Sequence, residues 1–264
     1  MIDFHNHFLP NVDDGPKTME DSILMLKHAI HQGITEVVQT VHFQHPKMEG
    51  KNVDYTYLKN IVSDVERELK KKNLKIKIHL SSEVFYLPNL VEIAKNPLVT
   101  IGNGKYMLIE FSTNIFPTNY ENELFKLQSN GVNPILAHPE RYRFIQQDLN
   151  ILGEWINRGY VIQIDAGSIL GHFGKKTKEI VFKMIKNGYI HLIGSDAHNI
   201  RKRIFCLKEA YELLENKFSL NLVKFLKENS KNIIKGVDVQ TICIEDFTRI
   251  KSINSKSSRI RCII

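Results

Sequence analysis

The chain has 264 residues, of which 42% are hydrophobic and 25% are charged, and its formal net charge is +7. This length suits one large α/β domain, and no apolar run approaches the ~18 residues that a membrane span needs. Five basic residues and no acidic residue lie within 247–264, so most of the excess positive charge belongs to this tail. The rest of the chain is nearly neutral, which argues against nucleic acid as its ligand.

The three cysteines, Cys206, Cys243 and Cys262, are far apart and include no Cys-x-x-Cys pair. We therefore expect neither a disulfide framework nor a thiolate zinc site. The chain enters a predicted strand at its first residues, and we expect no secretory signal. The expected location is the cytoplasm, with the basic tail favouring a peripheral position at the inner face of the membrane.

Strand patterns and helix patterns alternate along the chain. Stretches rich in β-branched residues predict seven strands, at 1–7, 34–41, 76–84, 106–111, 132–137, 160–164 and 190–193. Apolar residues at helical spacing predict helices at 18–32, 55–72, a short one from Pro88, 121–128, 149–157, 177–186, 204–214 and 220–227. This alternation is typical of a parallel sheet with right-handed crossovers, either open or closed into a barrel.

The first predicted strand carries two histidines, His5 and His7, that are two residues apart. Such residues share one face of a strand, so the two imidazoles project side by side and suit a metal ion such as zinc or manganese. Further polar residues lie near the ends of later strands, where parallel barrels carry their chemistry. They are His42, Glu83, Glu110, His138, Asp196 and His198. Together these residues predict a metal site.

Seven motifs carry a family resemblance. They are Asp3-Phe-His-Asn-His7, Val12-Asp-Asp-Gly15, Thr40-Val-His42, Ser82-Glu83, Ile109-Glu-Phe-Ser112, His138-Pro-Glu-Arg-Tyr142 and Gly194-Ser-Asp-Ala-His198. This set resembles the polymerase-and-histidinol-phosphatase (PHP) superfamily, and most closely its bacterial capsule-associated tyrosine phosphatase branch. The match runs in order from residue 1 to about 235.

The resemblance implies a distorted seven-stranded (β/α)7 barrel with its active site at the carboxyl ends of the strands. We assign residues 1–245 to this barrel and 246–264 to a basic, Ser-rich tail whose composition predicts flexibility. The resemblance also implies three divalent metal ions, with manganese expected first. Iron and zinc fit the same nitrogen and oxygen ligands.

The implied ligands fall into three groups. The first ion is held by His5, His7, Glu83 and Asp196, and the second by His42, His198 and Asp14. The third is held by Glu83, Glu110 and His138, so that Glu83 bridges two ions. Choosing Asp14 over Asp13 as a ligand rests on the resemblance, and Asp13 is expected to brace its loop.

Two arginines, Arg141 and Arg203, follow predicted ligands closely in the sequence. A guanidinium matches phosphate oxygens in pairs, so we expect a clamp on a phosphoryl group. The alternatives are that Arg141 pairs with a carboxylate such as Glu140 and that Arg203 is a solvated residue at a helix start. We expect Arg141 to act on the phosphoryl group and not on the fold. A supporting role is open to Asp165, which ends a strand facing the site.

These features predict a metal-dependent protein-tyrosine phosphatase that hydrolyses phosphotyrosine with metal-activated water and with Arg141, Arg203 and Asp14 as catalytic groups. The resemblance implies a membrane-anchored bacterial tyrosine autokinase of capsule or exopolysaccharide synthesis as the substrate. The alternatives are a small-molecule phosphatase of the histidinol phosphatase type and a non-catalytic metal-binding adaptor. A nuclease or editing activity is disfavoured by the nearly neutral body.

Overall fold

The computed structural model describes residues 1–48 and 54–241, so the predicted tail at 246–264 lies outside the described residues. Seven parallel strands form one sheet in sequence order. They are β1 (Ile2–Asn6), β2 (Glu36–Phe43), β3 (Lys77–Phe85), β4 (Tyr106–Glu110), β5 (Asn133–Ala137), β6 (Val161–Asp165) and β7 (Leu192–Gly194). All seven predicted strands are therefore confirmed.

The sheet closes nearly into a barrel through the segment that follows β7. The amide of His7 donates to the carbonyl oxygen of Ala197 at 2.8 Å, and the amide of Asp196 donates to that of His5 at 2.6 Å. These bonds join the last strand to the first, so the predicted seven-stranded barrel is confirmed. The alternation of strands and helices in the sequence did not distinguish an open sheet from a closed barrel, because closure depends on a contact between the first and the last strand.

Ten α-helices surround the sheet in the described part of the chain. They are α1 (Met19–His31), α2 (Tyr55–Lys71), α3 (Leu90–Ile93), α4 (Tyr120–Ser129), α5 (Arg143–Gln147), α6 (Asn150–Asn157), α7 (Ala166–Leu170), α8 (Lys175–Lys186), α9 (Leu207–Lys217) and α10 (Leu220–Lys235). Side chains cap the amino ends of several; the Thr18 hydroxyl, for example, accepts from the amide of Asp21. No helix of the described residues is long and apolar enough to cross a membrane.

Three helical features differ from the prediction. The sequence missed α5 and α7, because each has only five residues and is too short to show helical spacing. Helix α10 runs to Lys235 and not to Lys227, and Gly236 ends it with a φ of 69°. The extra turns include Asn229, a poor helix former whose side-chain amide donates to the carbonyl oxygen of His191 at 3.0 Å.

The apolar core has two parts. The larger part packs between the sheet and the helices and includes Val37, Ile109 and Ile164. The smaller part fills the barrel at the amino ends of the strands and includes Phe4, Val38 and Leu108. The opposite end of the barrel interior is lined by buried polar side chains.

Candidate metal centre

The sheet brings the histidines of β1 to the open end of the barrel. The register between β1 and β2 shifts between Asp3 and Asn6. Such an irregularity re-aims side chains, and His5 and His7 lie in the polar end although Phe4 packs in the apolar end. A Cβ atom on Gly194 would lie 2.4 Å from the Cβ atom of His5, so this close approach requires glycine.

The two histidines present their Nε2 atoms to each other at 3.2 Å. The Nδ1 atom of His5 lies 3.0 Å from Oε1 of Gln163, and that of His7 lies 2.9 Å from Asp13. The Gln163 amide is oriented by donating to the Ile164 carbonyl oxygen at 2.8 Å. Each Nδ1 therefore carries a proton, and in the neutral rings the two Nε2 lone pairs converge. This arrangement fits a shared cation.

Glu83 is the centre of the cluster and is buried. Its Oε2 atom lies 3.3 Å from Nε2 of His5, 3.5 Å from Nε2 of His7 and 3.2 Å from Nδ1 of His42. Its Oε1 atom lies 2.8 Å from Nε2 of His138. The carboxylate therefore reaches two sides of the cluster, as a bridging ligand requires.

The remaining predicted ligands complete two further groups. Asp14 Oδ1 lies 3.0 Å from Nε2 of His198 and 3.5 Å from Nε2 of His42, and His7 belongs to the same group. Glu110 Oε1 lies 3.8 Å from Nε2 of His138. The structure thus brings all nine predicted ligands together. The groups overlap more than predicted, because His7 lies between the first and the second.

The charges of the cluster perturb one another strongly. Burial opposes a charge on His5, but Glu83 and Asp196 outweigh it and raise the pKa of His5 to about 9. Burial likewise opposes the charge of Glu83, yet His5 and His138 hold the pKa of that carboxyl well below its usual range. Burial, together with the charge of Glu83, raises the pKa of Glu110 to about 7. Without metal, the cluster therefore holds protons that a metal ion would displace.

Two of the predicted ligands have an unusual backbone. His138 has a φ of 33° and Asp196 a φ of 51°, both in the left-handed region. Non-glycine residues pay on the order of 1–3 kcal/mol for such sparsely populated conformations, which concentrate at functional sites. In the turns after β5 and β7, this strained backbone directs the two side chains into the cluster.

The arginines lie beside the cluster and are tied to it by carboxylates. Arg141 donates to Asp165 at 2.9 Å and to Asp196 at 2.6 Å, and Arg203 also donates to Asp196. Glu140 is not the partner of Arg141; its Oε1 accepts from the amide of Asp165 at 2.9 Å. These contacts favour a structural role for Arg141 beside the predicted one, and its action on the phosphoryl group stays a prediction.

Asp13 has the bracing position that the sequence predicted. Besides its contact with His7, its carboxylate accepts from the amide of Gly15 at 3.0 Å. Gln163 was missed, because a glutamine in the middle of a strand gives no sequence signal. It links Nδ1 of His5 to Asp165, to which its amide donates at 3.2 Å.

The cluster opens into a cavity of about 400 Å³. Both arginines and six of the predicted ligands line it. Its outer wall comprises side chains that the sequence did not identify as site residues. They are His45, Pro46, Lys47, Met48, Phe85, Phe111, Ser112, Thr113 and Asn114. The cavity thus has a charged floor and a partly aromatic wall.

Comparisons with known proteins agree with this geometry. Residues 1–235 match the family model described as capsular polysaccharide synthesis, CpsB/CapC. CapC of Staphylococcus aureus is 38% identical over 213 residues, which cover 80% of this chain and 82% of that protein. The tyrosine-protein phosphatase YwqE of Bacillus subtilis is 33% identical over 237 residues, covering 89% and 92%.

A solved structure gives the same result in three dimensions. It comes from work on YwqE of Bacillus subtilis and CpsB of Streptococcus pneumoniae, described as unique metal-dependent tyrosine phosphatases. It superposes with a TM-score of 0.86 at 30% identity, over 92% of this chain and 97% of that one. The motifs, the barrel and the family match agree, and the chain belongs to the CpsB/CapC family of capsular polysaccharide synthesis.

Proposed function

We propose that this chain is a metal-dependent protein-tyrosine phosphatase. The observation that carries the proposal is the convergence of imidazole and carboxylate ligands on the floor of a cavity that two arginines also line. The matched relatives named tyrosine-protein phosphatase support the substrate class. Metals suit phosphoryl transfer because the reaction needs positioning and charge neutralisation above all.

We assign the metals as three divalent ions, with manganese first and iron or zinc as alternatives. The ligands are His5, His7, Glu83 and Asp196 for one ion, His42, His198 and Asp14 for the second, and Glu83, Glu110 and His138 for the third. The convergent Nε2 atoms of His5 and His7 support this assignment. Bound ions would lower the pKa of water and neutralise charge on the phosphoryl group.

The two arginines would hold the phosphoryl oxygens. Nε of Arg203 is buried and lacks a hydrogen-bond partner among the described residues, and Arg203 lines the cavity. Arg141 uses one terminal nitrogen on Asp165 and Asp196 and retains other N–H groups. Donors of this kind stabilise the charge that spreads over the equatorial oxygens in the transition state.

Asp14 would serve as a metal ligand and would orient the attacking water. Burial opposes its charge, but His198 and His42 hold the pKa of this carboxyl well below its usual range. A carboxyl group with such a low pKa stays ionised, which suits a metal ligand, and it cannot donate a proton to a leaving group. A phenolate is a good enough leaving group to depart without a strong acid, which favours phosphotyrosine over alkyl phosphates.

The substrate that we propose is a membrane-anchored bacterial tyrosine autokinase of capsule or exopolysaccharide synthesis, and the proposed location is the cytoplasm. The family match to capsular polysaccharide synthesis supports this assignment. The nearly neutral body of the chain supports a protein substrate and not a nucleic acid.

The experiment compares turnover of a phosphotyrosyl peptide, histidinol phosphate, p-nitrophenyl phosphate and single-stranded DNA with added manganese. We expect hydrolysis of the peptide and of p-nitrophenyl phosphate, with much lower rates on the other two. Preference for histidinol phosphate would establish a small-molecule phosphatase. Absence of any turnover, with metal bound, would establish an adaptor.

A further inference from the structure

The loop between β4 and α4 forms one wall of the cavity. Its residues Ser112, Thr113 and Asn114 line the cavity next to Arg141 and Glu110. The loop continues outward from this wall before α4 begins at Tyr120. We call residues 112–118 the rim loop, because they lead from the wall of the cavity to its outside.

The rim loop is held in place at three points. The amide of Arg143 donates to the carbonyl oxygen of Thr113 at 2.9 Å, and the hydroxyl of Tyr86 donates to that of Thr118 at 3.1 Å. Between these points, the Phe116 ring packs edge-on against the Phe144 ring, with centroids 4.9 Å apart. Because these contacts lie on both sides of residue 115, they hold the backbone at that residue in a defined position.

Ile115 is the residue between these contacts. It is 68% exposed, the highest value among the large hydrophobic residues in the described part of the chain. Its neighbour Phe116 is 47% exposed despite its aromatic contact. Two adjacent apolar side chains are therefore exposed to water, and they directly follow Asn114, which lines the charged cavity. Apolar surface next to a binding cavity is typical of a contact with a ligand that extends beyond the cavity.

We propose that Ile115, supported by Phe116, binds an apolar side chain of the substrate protein within two residues of its phosphotyrosine. This inference rests on the proposed function and specifies how that site selects its substrate. With the phosphate on the charged floor and the ring between Phe85 and the wall formed by residues 112–114, the substrate backbone would lie at the mouth of the cavity. The rim loop is continuous with that wall, so the flanking residues of the substrate pass Ile115.

The test uses two synthetic phosphotyrosyl peptides that carry either leucines or serines at the two positions on each side of the phosphotyrosine. We expect the wild-type protein with manganese to prefer the leucine peptide in kcat/KM, through a lower KM. The preference should be roughly 3- to 10-fold, less than an enclosed apolar pocket gives for one methylene group. Ile115→Ser should abolish it and leave turnover of p-nitrophenyl phosphate unchanged.

Val237→Ser is the matched control. Val237 is 49% exposed, and its carbonyl oxygen accepts from Tyr106 at the amino end of β4, on the side of the barrel away from the cavity. This variant should keep the peptide preference. Equal rates on both peptides in the wild type, or a preference retained in Ile115→Ser, would overturn the inference. Failure of the proposed function looks different, because neither peptide would then be hydrolysed.

Discussion

The two ends of the barrel interior use the same strands in opposite ways. On β4, the inward position Leu108 packs in the apolar cluster, and Glu110, two residues later, lies among the predicted ligands. On β2, Val38 and His42 divide in the same way. A strand places residues i and i+2 on one face, so each strand carries a change from apolar to ionisable side chains along a single face.

The difference separates stability from function. The amino end stabilises the fold by removing apolar surface from water, which contributes about 25 cal/mol per Å² buried. The carboxyl end instead buries carboxylates and imidazoles, and burial together with the charge of Glu83 raises the pKa of Glu110 to about 7. Buried ionic groups of this kind are weak contributors to stability. The protein therefore tolerates a destabilised end because the other end and the outer core hold the barrel.

The largest effect is expected at Glu83, which contacts His5, His7, His42 and His138. Glu83→Gln keeps the shape but removes the charge that bridges two sides of the cluster. We expect bound manganese to fall and kcat/KM to drop by roughly 10³-fold, at the upper end for one charged group at a reaction centre. Metal analysis and phosphatase assays measure both, and the helical circular dichroism signal should persist.

Glu123→Gln is the control, because Glu123 is also buried but pairs with Lys126 on α4, outside the cluster. It should keep its metal and its activity. Full activity in a metal-free Glu83→Gln protein would show that the polar end does not work through metals.

Arg141 lies at the polar end of the barrel and pairs there with Asp165 and Asp196. Arg141→Ala should lower kcat/KM by ~10²–10³-fold, the usual loss for one donor to the transition state. It should also lower the free energy of unfolding by about 1–3 kcal/mol, because Asp165 and Asp196 lose a buried partner. Arg141→Lys keeps the charge but not the planar fork, so it should recover part of both losses.

The measurements are kcat/KM on p-nitrophenyl phosphate and on a phosphotyrosyl peptide, and denaturant unfolding. Arg158→Ala is the matched control, since Arg158 pairs with Glu121 at the surface and should change neither quantity appreciably. A loss confined to the peptide would make Arg141 a residue of protein recognition. Normal turnover on both substrates would remove it from the mechanism.

Leu108 and Glu110 allow a direct comparison of the two ends on one strand. Leu108→Ala should lower the free energy of unfolding by about 2–5 kcal/mol with or without metal, because it leaves a cavity. Glu110→Gln should raise the melting temperature of the metal-free protein at pH 8. It should also reduce the rise in melting temperature that manganese causes, since a ligand is lost.

The pH dependence follows from the raised pKa of Glu110. Burial and Glu83 raise it from 4.5 to about 7, so its contribution to stability is complete below pH 4.5 and is lost as the pH rises through 7. Melting curves in a chelator at pH 5 and pH 8 should therefore differ less for Glu110→Gln than for the wild type. If Glu110→Gln at pH 8 destabilises the metal-free protein as much as Leu108→Ala does, the comparison fails.

The sequence could predict features that depend on local pattern and could not predict those that depend on distant contacts. Strands and their polar carboxyl ends follow from spacing, which is why His42, Glu83 and His138 were identified. Barrel closure depends on Ala197 meeting His7, and the sharing of His7 between groups depends on the shift in β1. Neither feature has a sequence signature. Pairing of Arg141 with two carboxylates likewise arises only when β6 and β7 lie together.

The smallest effect on activity is expected at Gln163, which contacts the predicted ligand His5 but is not itself a predicted ligand. Its side chain accepts from Nδ1 of His5 and donates to Asp165, the partner of Arg141. Gln163→Leu keeps the volume but removes both bonds, so His5 is no longer fixed in one tautomer. Loss of such a supporting bond typically costs 10–100-fold in metal affinity or activity.

The measurement is the apparent manganese affinity in titrations of activity, with kcat measured at saturating metal. We expect weaker manganese binding and partial recovery of kcat when the metal is in excess, because the ligands themselves remain. Gln128→Leu is the control, since Gln128 donates to the Arg158 carbonyl oxygen at the surface. A fall in melting temperature without a change in manganese affinity would instead place Gln163 with the residues that hold the barrel together.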